Sequence, residues 1–237
     1  MRTTNRGVAI VALAALLALM LASCGEKKQD EESEATAMPP APEATPAPTH
    51  LTGDLTWTVD PGVGVGPLKK DGGESDLVKA YGASEVTTTE VTHRDHSTAT
   101  ASVIFATDPM RRVTIEWADG SGRRIPARVT LEGDSSTWTL PGGITLGTPL
   151  DELERQNGKP FELSGFEWDG AGGVSSWRDG RLSNLLRQGV TLSLQPRLSD
   201  RNSEVYRSVV GDSTFSSDLD AMRSVHPRVY RIVVYYQ

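Results

Sequence analysis

Beyond residue 50, apolar and polar residues alternate in short runs set between glycine-rich turns. Thr56-Trp57-Thr58-Val59, Ala101-Ser102-Val103-Ile104-Phe105, Val113-Thr114-Ile115-Glu116-Trp117, Val190-Thr191-Leu192-Ser193-Leu194 and Val229 to Tyr236 each follow the two-residue period of a strand with one buried face. Thr87-Thr88-Thr89 and Val91-Thr92 favour strand or loop. Asp119-Gly120-Ser121-Gly122 and Arg178-Asp179-Gly180 punctuate the pattern as turns. Two short stretches carry the helical period instead. Glu74 to Tyr81 sets Leu77, Val78 and Tyr81 on one side and stops at Gly82. Pro149 to Gln156 opens after Thr148 as N-cap, with Pro149 at the first helical position and Leu150 and Leu153 facing inward. Asn157-Gly158 closes it. A third helix is read around Ser203 to Val209.

Both clear helices stand in similar surroundings: strand, glycine turn, short helix, glycine, strand. The predicted fold class is α+β, antiparallel-sheet-rich with short helices, in two tandem similar units over 51–140 and 141–237. Convergent turn chemistry is the alternative to a true duplication. Gly-Ile-Thr-Leu-Gly-Thr-Pro-Leu (143–150) followed by Leu153 and Gly158-Lys159-Pro160 resembles the short-helix hairpin of small envelope lipoproteins. The outer-membrane assembly lipoprotein BamE family and the β-lactamase-inhibitor-like fold share that plan, which implies short helices packed on an antiparallel sheet. Asn157 to Phe161, Gly165 to Asp169 and Gly172 to Trp177 resemble a pattern in proteobacterial envelope lipoproteins with no assigned activity, so that likeness implies no chemistry.

The N-terminal segment has a different pattern. Arg2 and Arg6 precede an almost wholly apolar run from Val8 to Leu21, then Leu21-Ala22-Ser23-Cys24-Gly25. A positive start, a short apolar core and small residues before a cut site predict a secretory signal over 1–23. The apolar run is well short of the ~20 residues that span a bilayer. Leu-Ala-Ser-Cys resembles the bacterial lipobox. That resemblance implies diacylglycerol on the Cys24 sulfur, cleavage before Cys24 and acylation of the new amine. Gly25, where an inner-membrane retention signal would carry Asp, implies an outer-membrane location facing the periplasm. Residues 24–50 then form a linker: Glu26, Asp30, Glu31, Glu32 and Glu34 precede Pro39, Pro40, Pro42, Pro46 and Pro48, without apolar periodicity.

Removal of residues 1–23 takes away two arginines and no acid, so the formal charge moves from −7 to −9. This balance argues against nucleic acid as a partner and against a polybasic grip on anionic lipid. The expected attachments are the membrane, through the lipid on Cys24, and an envelope protein. Cys24 is the one cysteine, so no disulfide forms within the chain.

Motifs for chemistry are sparse. Gly62-Val63-Gly64-Val65-Gly66 has the wrong spacing for a dinucleotide loop, and no phosphate-cradling Gly-Lys-Ser/Thr motif occurs; no cofactor is expected. His93 and His96 lie three apart in a region that reads as strand or loop, which puts them on opposite faces, so solvated loop histidines are favoured over a metal site. Gly-Asp-Ser at 133–135 and 211–213 reads as turn chemistry, because no Asp-x-x-His block or Gly-x-Ser-x-Gly accompanies it. The most distinctive stretch is Gly165-Phe166-Glu167-Trp168-Asp169-Gly170. On a strand, Glu167 and Asp169 would share one face and Phe166 and Trp168 the other. Phe166, Glu167, Trp168, Asp169 and Trp177 are the candidate recognition surface, against the plainer reading of a hairpin whose aromatics complete the core. No catalytic residue is assigned. The expectation is a lipid-anchored, non-catalytic envelope lipoprotein serving as a protein-binding or structural module. The alternatives are a periplasmic hydrolase using Glu167, Asp169 or a His93-centred site, and a small-ligand carrier with an apolar cavity.

Overall fold

A computed structural model describes residues 57–236, all of which belong to one compact unit. Cys24, the signal segment and the linker to residue 50 lie outside the described residues. In chain order the elements are β1 Val59–Asp60, β2 Gly64–Val65, β3 Leu68–Lys69, α1 Glu74–Tyr81, β4 Val86–Thr92, β5 Thr98–Ile104, β6 Val113–Trp117 and β7 Pro126–Glu132. They continue with α2 Leu150–Asn157, β8 Glu162–Ser164, β9 Val174–Ser176, α3 Ser183–Arg187, β10 Val190–Gln195, α4 Glu204–Arg207, β11 Thr214–Ser216, α5 Asp220–Ser224 and β12 Arg228–Tyr235. The fold is α+β, with antiparallel sheets and short helices.

Six strands form the main sheet in the order β10-β12-β7-β6-β5-β4, and two three-stranded sheets, β1-β2-β3 and β11-β8-β9, flank it. Strands β4 to β7 form a meander. The last strand, β12, then inserts between β7 and β10, pairing Val234 with Val129 and with Val190. Two similar tandem units are not confirmed, because the central sheet draws β4–β7 from before residue 140 and β10 and β12 from after it. No described helix is long and apolar enough to cross a membrane.

One face of the main sheet carries the core. Val113, Ile115, Trp117, Val129, Leu131, Val190, Leu192, Leu194, Val229, Ile232 and Val234 are all buried there, at every second strand position except across an irregularity in β12 between Val229 and Ile232. An aromatic cluster packs beside α1. The Trp57 ring lies 5.9 Å from Tyr81, 5.6 Å from Phe105 and 5.1 Å from Trp138. Gly66, at φ +55°, passes close beneath: a Cβ there would sit 2.8 Å from the Tyr81 hydroxyl and 3.0 Å from the Trp138 ring. The far end of α2 is fixed by buried Asn157, whose amide donates to Lys159 O at 2.9 Å and Trp177 O at 3.0 Å and accepts from Leu182 N–H at 3.1 Å.

The helices differ from the sequence expectation in detail. Val78 is 36% exposed, so the inward stripe of α1 is Leu77 and Tyr81. In α2 the N-cap position falls on Pro149, one residue later than expected. The Thr148 hydroxyl accepts from the N–H of Thr145 at 2.9 Å and so serves the preceding turn instead of the helix.

Helix α1 is tied to the sheet by a half-buried carboxylate. Glu74 accepts from Ser102 Oγ at 2.7 Å, Arg123 Nε at 2.5 Å and Thr88 Oγ1 at 3.2 Å, and Ser102 in turn accepts from Trp117 Nε1 at 2.9 Å. Burial pushes the Glu74 carboxyl up. The bonds from Ser102 and Arg123, with the Arg123 charge and Thr88, outweigh that effect and hold its pKa below the ordinary 4.5. A depressed folded-state value means that the stabilisation is complete above the unfolded-state value and is lost as pH falls through the lower one. Glu74→Gln is therefore expected to cost roughly 1–3 kcal/mol near neutrality. The difference from the parent should shrink as the pH is lowered below the ordinary carboxylate range, as read by urea denaturation at each pH.

Candidate functional site

The other face of the main sheet is largely polar over β6, β7, β10 and β12, and buries Ala101 and Val103 of β5. Strand alternation places Thr114 and Glu116 of β6, Arg128, Thr130 and Glu132 of β7, Thr191 and Ser193 of β10, and Arg231, Val233 and Tyr235 of β12 on it. The register arranges these side chains in rows across the strands. Glu116 faces Arg128, which faces Tyr235. Thr114 faces Thr130, then Val233, then Thr191. Glu132 faces Arg231, which faces Ser193. Directly opposed positions are close enough to interact, and both acidic residues meet an arginine. Between Ser193 and Leu194 the β10–β12 register shifts, leaving Tyr230 as an extra residue in β12. Tyr230 thereby joins Arg231 on the open face, with the guanidinium 5.2 Å from its ring centre.

These rows floor a groove of about 890 Å³. Two loops wall it. One is the β4–β5 hairpin, whose His93, Arg94 and Asp95 line the groove; the other supplies Asp169, Gly170 and Ala171 between β8 and β9. Arg94 and Asp169 form an ion pair that joins the walls, with both side chains largely exposed. The hairpin tip is closed by the His93 N–H to Ser97 O at 2.8 Å, and by Asp95, which accepts from the Ser97 N–H at 3.0 Å and Oγ at 2.7 Å. Those bonds hold the Asp95 carboxyl below its ordinary range.

Glu116 is the centre of the groove's electrostatics. It is only 5% exposed. Arg128 Nε donates to its Oε1 at 2.8 Å, and His93 Nε2 lies 3.2 Å from its Oε2. The opposite ring nitrogen of His93, Nδ1, lies 3.0 Å from the Arg128 guanidinium. A guanidinium only donates, so Nδ1 accepts and the hydrogen of the neutral ring sits on Nε2, directed at Glu116. Both ring nitrogens are thus engaged within the cluster. His96, at φ +65°, is exposed at the hairpin tip. The expectation of solvated loop histidines holds for His96 and not for His93.

The five residues of the expected recognition surface do not share one surface. Phe166 is 2% exposed and stacks on Tyr206 at 6.0 Å, and Trp177 is 2% exposed and packs on Phe161 at 4.9 Å. Both belong to the core. Trp168 remains exposed. Glu167 accepts from the Tyr206 hydroxyl at 2.8 Å; burial and this bond push the Tyr206 pKa up to about 12. The segment is a turn and not a strand, with Glu167 at φ +63°, which is why Glu167 and Asp169 part company. Of the five, only Asp169 reaches the groove. Among the described residues, no three His, Cys, Asp or Glu side chains converge in a metal-ligating group.

The sequence reading missed Glu116, Arg128, Glu132 and Arg231. Their signal was the polar half of the same alternation that marked the strands: in a one-sided sheet, the polar positions of neighbouring strands necessarily meet on one face. Comparisons with protein-family models, with curated proteins and with solved structures found no match for the chain.

The bond pattern predicts that the His93 ring, observed by nitrogen NMR at mildly alkaline pH, carries its hydrogen on Nε2. It also predicts that Arg128→Gln redistributes the tautomers. A parent ring protonated on Nδ1 would contradict the assignment.

Proposed function

We propose that the chain is a lipid-anchored, non-catalytic protein of the bacterial envelope, held in the outer membrane by the lipid on Cys24 and facing the periplasm. Its folded part would engage a partner protein on the open face of the main sheet. The observation that carries this reading is the groove itself, a face spread across the strands and lined by arginine, tyrosine and hydroxyl side chains. Arginine and tyrosine are enriched where protein interfaces concentrate their binding energy. The three arginines of the groove, Arg94, Arg128 and Arg231, are each paired with a carboxylate of the same groove, so a partner segment would meet alternating charge and hydroxyl groups.

The hydrolase alternative gains His93 and Glu116 in one cavity, but His93 has neither ring nitrogen free. Glu132 is bonded to Arg231 Nε at 3.0 Å, and Asp169 is paired with Arg94. The apolar-carrier alternative draws no support from this groove, whose lining is mostly polar.

Site-specific photocrosslinking in intact cells tests the proposal. A photoreactive residue at Thr191 or Ser193 is expected to capture one envelope protein, while the same residue at exposed Val205 of α4 captures none. Arg231→Ala should weaken that capture about tenfold or more, the scale of an interface anchor. Membrane fractionation of Cys24→Ala should release the protein into the soluble fraction. Equal capture at all three positions, or none in the groove, would overturn the binding site; retention of Cys24→Ala in the membrane would overturn the anchor.

A further inference from the structure

The two edges of the main sheet are treated differently. The outer edge of β10 is covered: the N–H of Leu194 donates to Gly172 O at 2.9 Å, and Gly173 bridges Ser193. The outer edge of β4 has no strand beside it among the described residues. Exposed edges are usually blunted by charged side chains, proline, a bulge or short length. Strand β4, Val-Thr-Thr-Thr-Glu-Val-Thr, has a single charge, Glu90, no proline and no bulge, and pairs with β5 through seven uninterrupted positions.

Its hydrogen-bonding sense follows from the ladder. Phe105 N–H donates to Glu85 O at 2.9 Å and His93 N–H to Ser97 O at 2.8 Å, one pair beyond each end of the strand. In an antiparallel ladder, bonded and non-bonded pairs alternate. Thr87, Thr89 and Val91 therefore exchange backbone bonds with β5, and Val86, Thr88, Glu90 and Thr92 direct theirs outward. Of these, the Val86 N–H is taken by Ala83 O.

We propose that β4 pairs with β4 of a second copy of this chain, antiparallel about a two-fold axis at Thr89, and so joins two main sheets into one. A two-fold axis normal to the sheet requires that opposed residues share a face, which limits the register to steps of two residues. Centred on Thr89, all four outward residues find outward partners. Thr88 meets Glu90 of the second copy, Val86 meets Thr92, Thr87 meets Val91, and Thr89 meets itself. Centred on Glu90, the two acids stand directly opposed, which is unfavourable. Centred on Thr88, Thr92 lies beyond the paired segment. With the single charge off the centre, the strand pairs with itself over its full length and sets Glu90 against Thr88 of the second copy, without a like-charge contact.

Cysteine crosslinking tests both the pairing and its register. Cys24 is the one native cysteine, so the full chain carrying Cys24→Ser has no thiol until one is introduced. Thr89→Cys in that background places two thiols at a non-hydrogen-bonded pair, with Cα atoms about 4.5 Å apart, which a disulfide can bridge. Thr87→Cys places its twin four residues further along, about 13 Å away, which a disulfide cannot bridge. Mild oxidation is expected to give a covalent dimer with Thr89→Cys and not with Thr87→Cys. Thr88→Pro, which removes an outward donor that β5 does not use, should abolish the Thr89→Cys dimer while circular dichroism remains that of the parent. Crosslinking at neither position, or at both equally, would overturn the proposal. So would a Thr89→Cys dimer that survives Thr88→Pro. None of these outcomes depends on whether the groove binds a partner.

Discussion

The groove depends on one nearly buried carboxylate. Glu116 sits in the centre of the main sheet on its polar side, where an unpaired charge so far from water would be strongly unfavourable. Its partners come from two different places in the chain: Arg128 from the neighbouring strand and His93 from the tip of a hairpin. By satisfying Glu116, His93 draws the β4–β5 hairpin over the sheet, and that hairpin is one wall of the groove. Removing the carboxylate would leave Arg128 without its anion and the hairpin tip without its anchor.

The same interaction engages both ring nitrogens of the histidine beside it. One nitrogen is turned to Glu116 and the other to Arg128. Glu132 is likewise held by Arg231, and Asp169 by Arg94. What the groove offers to solvent is a mixture of hydroxyls, two tyrosines and arginines paired with carboxylates, in rows at strand spacing. A dimer through β4 would set two such faces side by side in one continuous sheet, doubling the recognition area without altering either groove.

Local pattern and non-local geometry were legible to different degrees. Val113–Trp117 and Glu74–Tyr81 appear where their periodicities put them, because burial on one face dictates both. The start of α2 shifts by one residue because the Thr148 hydroxyl has a competing partner in the turn before it. Strand β7 escaped notice. It opens with Pro126 and offers only Val129 and Leu131 as inward residues between polar ones, yet it lies in the middle of the sheet. Phe166 and Trp177 were conspicuous as aromatics, and nothing local distinguishes an aromatic that fills a core from one that waits for a partner. The insertion of β12 between β7 and β10, and the approach of His93 to Glu116, are long-range pairings that no short window contains.

The most direct test of this account is a double-mutant cycle on Glu116→Gln and Arg128→Gln, with stability measured by urea denaturation at neutral pH. If Glu116 and Arg128 are the mutually dependent centre of the open face, the two changes should be strongly non-additive, with a coupling of about 1 kcal/mol or more. Additivity to within roughly 0.5 kcal/mol would contradict it and return Glu116 to the status of a carboxylate free to do other chemistry.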